Sequence, residues 1–292
     1  MKYIYSLFFF LSCAKTVAPD QDMSDQNQSI FGSSTSLDIV TWNIEQFPKN
    51  NNTINYLIPL IDSIQPDLIA LQEINDQYQF TNFINNLDNN WVGYKSNKSS
   101  LAFLINTNNI EILNDTPYTI LDQNQYFFAY REPYVVDIRY NNIDYTIINV
   151  HYKCCGDGVI GLNESDEEYR RVISNELLEN YISTNLQYTN LVVLGDFNDD
   201  ITDTYSNNVF KSFLDEPDIY KFSDITIANE SSNHWSYPSW PSHLDHILIT
   251  SQLFNDSTIT QTILVEKLFE RGWIDYDQYI SDHRPVGIKI ID

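Results

Sequence analysis

At 292 residues the chain is long enough for one large domain or two small ones, and 42% hydrophobic with 14% aromatic residues supplies a sizeable core, which excludes wholesale disorder. Its 40 acidic and 16 basic residues leave a formal net charge of −24. Such a surface repels nucleic acid and anionic lipid, which excludes a general DNA-binding module, although a salty medium shortens that reach to about 8 Å.

The chain opens on M-K-Y-I-Y-S-L-F-F-F-L-S-C: one lysine, a short apolar run, then a small residue and a cysteine. The run is too short for the roughly 20 apolar residues of a membrane span and predicts a signal peptide over residues 1–13. Its F-L-S-C end resembles a bacterial lipobox, which makes Cys13 the candidate lipid anchor; an ordinary secretory signal is the alternative. The expectation is a bacterial protein that is exported, either a cell-envelope lipoprotein or secreted. Residues 14–36, rich in Asp, Gln, Ser and Asn, predict a solvated tether, and the folded domain is expected over 37–292.

Leu37 to Trp42 alternates as a strand that ends at Asn43. Ile54, Leu57, Ile58, Ile61 and Ile64 recur at helical spacing, with Pro59 predicting a kink or a late helix start. Asp67 to Ile74 is a second buried strand carrying Glu73, and Asp76 to Leu87 an amphipathic helix. Short strands fill the stretch from Trp91 to Arg139, and the strand Ile143 to Val150 terminates at His151. Ser165 with Glu168 makes a capping-box signal for a helix to about Leu186.

Leu191 to Asp200, L-V-V-L-G-D-F-N-D-D, organises the rest: a buried strand, a glycine for a tight turn, then Asp196 and Asn198 two residues apart. An aromatic loop with Trp235, Tyr237 and Trp240 feeds a strand carrying Asp245, and S-D-H-R-P precedes a terminal strand. Strands and helices alternate in both halves, so the pattern predicts one α/β domain with a mixed sheet system. With Cys13 assigned to lipid, adjacent Cys154 and Cys155 remain. A disulfide between neighbours would stiffen the loop after His151 but is strained, and two free thiols are the equal alternative.

Asn43, Glu73, His151, Asp196, Asn198, Asp245, Asp282 and His283 all lie in or near strand ends, where α/β folds build sites. The ordered motifs T-W-N-I, L-Q-E, R-E-P, N-V-H, G-D-F-N, L-D-H-I and S-D-H-R-P resemble the endonuclease/exonuclease/phosphatase superfamily over about residues 37–292. The resemblance implies a four-layer α/β/β/α sandwich of two packed mixed sheets with outer helices, and divalent-metal-dependent hydrolysis of phosphoesters. By matching motif positions it implies Glu73, Asn43 and Asp282 around Mg²⁺, with Ca²⁺ or Mn²⁺ as alternatives. Asp196 and Asn198 would orient water and the phosphoryl group, and His283, held by Asp245, would bond the phosphate or transfer a proton. His151 would be the general acid, and Asn43 and Arg131 phosphate contacts.

The four carboxylates of that set would repel one another without a cation, which is a separate physical reason to expect one. Tyr237 to His243 holds no Lys or Arg, which disfavours a polyphosphate head group, while the aromatic set suits a nucleobase. The expectation is therefore an endonuclease acting on DNA or RNA, with no protein partner evident. A lipid phosphodiesterase of the sphingomyelinase kind, acting on phospholipid, and a non-catalytic binding protein on the same fold are the alternatives.

Overall fold

The central strands of this chain are apolar on both faces, and the fold buries both. Within Leu191–Leu194, Val192 and Leu194 pack between two sheets while Leu191 and Val193 lie in an outer core. The first strand, β1 (Leu37–Phe47), divides in the same way: Leu37 and Ile39 join the inner core, and Val40, Trp42 and Ile44 the other outer one. The computed structural model describes residues 29–291; the expected signal peptide, Cys13 and the tether up to residue 28 lie outside the described residues.

After β1 come α1 (Thr53–Ile64), β2 (Leu68–Ile74), α2 (Gln77–Asn85), β3 (Trp91–Lys95), β4 (Ala102–Asn106), β5 (Glu111–Ile112), β6 (Tyr118–Thr119), β7 (Tyr134–Tyr140) and β8 (Ile143–His151). The second half runs α3 (Glu167–Asn185), β9 (Asn190–Asp196), α4 (Lys211–Leu214), β10 (Tyr220–Phe222), α5 (Ile225–Ala228), β11 (Asp245–Thr250), β12 (Ser257–Thr262), α6 (Trp273–Tyr279) and β13 (Val286–Ile291). One sheet has 6 strands in the order β12-β13-β1-β2-β4-β3, and the other has 7, β10-β11-β9-β8-β7-β5 with β6 beside β7. Both are mixed, because β1 runs parallel to β2 and β8 parallel to β9. Leu57 of α1, Phe80 of α2 and Tyr276 of α6 cover one sheet, and Leu178 and Ile182 of α3 the other, so the layers are α/β/β/α as expected.

Four local expectations differ. The described chain is attached from Ser29: Ile30 N donates to Ser63 O at 2.9 Å, Gly32 N to Ile64 O at 2.7 Å, and Phe31 is buried in the space that Gly287 leaves open. One aromatic ring in a polar tract is enough to fix it. β1 continues past Asn43 to Phe47 through a register break against β2. Helix α1 runs through Pro59 unbroken, because Pro59 lies on its exposed side, where water can satisfy the carbonyl left free. Helix α3 is capped by Asp166 rather than Ser165, its side chain accepting from Tyr169 N at 2.8 Å, and Glu168 is instead buried toward the site.

Candidate active site

Strand direction brings the chemistry to one edge. The carboxyl ends of the parallel pairs carry Glu73 on β2 beside the end of β1, and His151 opposite Asp196 on β8 and β9. β11 enters antiparallel with Asp245 opposite Asp196, and the S-D-H-R-P turn precedes β13, which pairs antiparallel with β1. A pocket of ≈ 710 Å³ results, and Asn43, Glu73, Arg131, His151, Asp196, Asn198, Asp282 and His283 all line it. Asp245 does not; it is fully buried behind His283.

The two sheets are pinned to each other just behind this pocket. Gln72 Nε2 donates to Asn149 Oδ1 at 2.8 Å, and Asn149 Nδ2 donates to the carbonyls of Leu71 and Ala102, each at 3.0 Å. Glu73 follows Gln72 and His151 lies two residues after Asn149, so one buried amide pair sets the spacing of the two site strands. Glu73 itself has φ 63°, a strained value for a side chain of this kind, and the β1 register break presents Gln46 N to its Oε2 at 2.8 Å. Gly195 is required for a different reason: a Cβ there would meet the carbonyl of Val150 at 1.9 Å.

Asp196 is the hub. Its Oδ2 accepts from Asn43 Nδ2 at 3.0 Å and lies 3.5 Å from His151 Nε2 and 3.9 Å from His283 Nε2. Burial, with the charges of Asp245 and Glu73 adding, pushes its pKa up to about 6 against the pull of His283. His283 donates Nδ1–H to Asp245 Oδ2 at 2.7 Å. Burial disfavours its charge, yet Asp245 and Asp196 outweigh that and raise it to about 10. His151 goes the other way: burial, then Arg131 and His283, hold it well below 6.5. It is therefore neutral in the fold where His283 is charged, with its Nε2 toward Asp196.

His283 is held on three sides. Its backbone N donates to Ser281 Oγ at 2.9 Å while that hydroxyl donates to Asn43 O at 2.7 Å. Tyr276 Oη donates to the His283 carbonyl and accepts from Trp42 Nε1 at 2.9 Å. The Tyr237 ring lies 4.8 Å from the imidazole. Trp42 and Ser281, inside the motifs but without reactive groups, thus position the catalytic candidates.

Arg131 and Asn198 line the pocket and also brace the backbone beside it. Arg131 donates from Nε to His151 O at 3.0 Å and from Nη2 to Tyr152 O, which braces the backbone with part of its fork. Asn198, at φ 56°, donates Nδ2 to Tyr152 O at 3.2 Å. Arg284 lies outside the pocket lining, bonded to the carbonyls of Asn233 and Trp235 and to Glu266. Of the aromatic set, Tyr237 and Trp240 line the pocket, whereas Trp235 donates to Ile227 O. Cys154 and Cys155 are free thiols, with Sγ atoms 3.0 Å apart, rather than a disulfide.

Sequence reasoning missed Glu45. The register break turns it into the pocket, where its Oε2 accepts from Asp282 N at 3.0 Å and meets Lys49 at 2.5 Å. Burial raises its pKa, and Asp282 adds to the rise against Lys49. Asn43, Glu45, Glu73 and Asp282 thus bring oxygen-bearing side chains to the pocket lining, which suits a hard divalent cation. Asp196, Asp245 and His283 also lie within 4.8 Å of one another, but the charged His283 ring donates to Asp245 and offers no lone pair to a metal.

The endonuclease/exonuclease/phosphatase family model matches residues 40–283. No curated protein sequence matches the chain. Among solved structures, D. rerio TDP2 complexed with single strand DNA product has a TM-score of 0.66 at 12% identity, covering 88% of this chain and 99% of that one. The human nocturnin catalytic domain has a TM-score of 0.56 at 14% identity, covering 88% and 94%. The Bacteroides thetaiotaomicron mannosyl-6-phosphatase has 0.59 at 12%, covering 88% and 100%. A family match over most of the chain and a shared sandwich agree with the strand-end site: this chain belongs to the endonuclease/exonuclease/phosphatase family.

Proposed function

We propose that the chain is a divalent-cation-dependent phosphodiesterase acting on nucleic acid. The observation that carries this reading is the facing of His283 and Asp196, a charged imidazole and a buried carboxylate of raised pKa, 3.9 Å apart over an oxygen-lined pocket. Asp196, with a pKa of about 6, is ionised at neutral pH and takes a proton from the attacking water while Asn43 fixes its Oδ2. His283 presents Nε2–H to a phosphoryl oxygen, where negative charge grows as the water attacks. His151, neutral and buried, orients Asp196 from the other side. Glu73, Asn43 and Asp282, with Glu45 beside them, would hold Mg²⁺, Ca²⁺ or Mn²⁺, which supplies charge neutralisation at the phosphoryl oxygens.

Nucleic acid is favoured by Trp240, which is 77% exposed on the pocket lining and free to stack a base, a contact of about 1 to 3 kcal/mol. The D. rerio neighbour, which carries a single strand DNA product, supports the same class. Export and an anchor at Cys13 belong to the proposal and are tested by lipid labelling of the chain against Cys13→Ala. The activity is tested on plasmid DNA, RNA, sphingomyelin and a sugar phosphate monoester, each with Mg²⁺, Ca²⁺ or Mn²⁺ and an EDTA blank. Cation-dependent nicking is expected. Turnover of sphingomyelin alone moves the substrate to lipid, turnover of the monoester alone makes the chain a phosphatase, and silence throughout favours a binding protein.

A further inference from the structure

A second cleft, of ≈ 740 Å³, opens away from the active site where the free edges of the two sheets come together. β10 contributes Lys221, and the turn after β12 contributes Lys267. These two lysines share a distinction. Every other described Lys and Arg has a carboxylate, a carbonyl or an aromatic ring as partner, and among the described residues Lys221 and Lys267 alone have none. In a chain of net charge −24, two unpaired cations on one cleft are a local reversal of sign. The one carboxylate among the described lining residues, Glu230, faces His234 at 3.6 Å.

Strand β12 supplies part of the lining. Thr260 and Thr262 of β12 line the cleft, and their buried hydroxyls have no hydrogen-bond partner; Thr262 is only 8% exposed. Apolar surface completes the lining: Ile263 is buried, and Leu268 and Ile30 are large side chains left 49% and 39% exposed on it. Unpaired cations and an apolar wall in a cleft of small-molecule size define a ligand with an anionic head and a hydrocarbon body.

We propose that this cleft binds an anionic amphiphile, a carboxylate or phosphate monoester on a short alkyl chain, with Lys221 and Lys267 on its head group. Calorimetry with the full chain tests it, using octanoate, octyl phosphate, octanol and inorganic phosphate as probes. Octanoate or octyl phosphate should bind, and whichever binds more tightly identifies the head group. Lys221→Ala/Lys267→Ala should weaken that binding by about tenfold or more, and the Lys→Arg pair should restore it. Octanol and inorganic phosphate should each bind at least about tenfold more weakly than the whole amphiphile.

The proposal is overturned if neither anion binds, if affinity is unchanged in the alanine pair, or if octanol binds as well as the anions. Both lysines are exposed and unpartnered, so their loss leaves the fold intact, which an unchanged melting temperature verifies. Phosphodiesterase activity of the same variant separates this outcome from that of the active-site reading.

Discussion

Adjacent residues of β11, Asp245 and His246, point to opposite faces and build two Asp–His pairs with different fates. On one face Asp245 holds His283 at 2.7 Å, leaving the far nitrogen of that ring toward Asp196 and the pocket. On the other, Asp224 holds His246 Nδ1 at 2.6 Å, and the far nitrogen donates to Asp199 O at 2.8 Å. Both ring nitrogens of His246 meet acceptors, so it is an imidazolium, and Phe197, Phe210 and Phe222 surround it with ring centroids 5.5 to 5.8 Å away. His243 also meets Asp224, at 3.0 Å, and its Nδ1 accepts from Ser236 N at 3.3 Å. The three lie within ligand distance of one another, yet each donor atom is already committed. A charged pair becomes a reactive group or a structural one according to what the far nitrogen meets.

The comparison breaks most sharply at His283. His283→Ala should lower cation-dependent hydrolysis by about 10² to 10⁴-fold, and it should cost less stability than His246→Ala, because pocket water can enter beside the Asp245 carboxylate that it leaves behind. An unfolded variant, or retained turnover, would put the two pairs in one class. His246→Ala should do the reverse and destabilise the fold by about 3 to 5 kcal/mol in denaturant titration, since Asp224 is left buried with its charge uncompensated. Turnover per folded molecule should stay within a few-fold. His243→Ala removes the longer of the two histidine contacts to the same carboxylate, so a smaller loss of about 1 to 3 kcal/mol is expected. Equal losses in the two variants would contradict that order.

The reactive pair was legible in the sequence and the structural pair was not, for a physical reason. Asp245 and His283 sit in short motifs at strand ends, and a strand end that carries acid and histidine is conspicuous against apolar neighbours. Asp224 lies in an irregular stretch, 22 residues before its partner, with no periodicity to expose it. The sandwich was legible from the alternation of elements and the motif order, whereas Glu45 depended on a register break that no residue type announces. Arg131 was found by its motif, but a guanidinium shows only in three dimensions whether it faces a ligand or backbone carbonyls.

A pH series sharpens the comparison through its smallest effect. The partnership with Asp224 and the Asp199 carbonyl raises the pKa of His246 above 6.5, although burial works against it. A histidine raised on folding contributes stability that is fully present below its unfolded value, about 6.5, and is lost as pH rises through the folded value. Asp224 is held below its ordinary range by the two histidines against burial, so its contribution stays constant across neutral pH and is lost only in acid. The melting-temperature gap between the wild-type chain and His246→Ala should therefore be widest near pH 6 and should narrow steadily on the alkaline side. Calorimetric scans of both proteins from about pH 6 to 9 would show it. A gap that stays flat over that range would mean that His246 is neutral in the fold, and the pair behind β11 would then be an ordinary hydrogen bond rather than a buried counterpart of the one in the pocket.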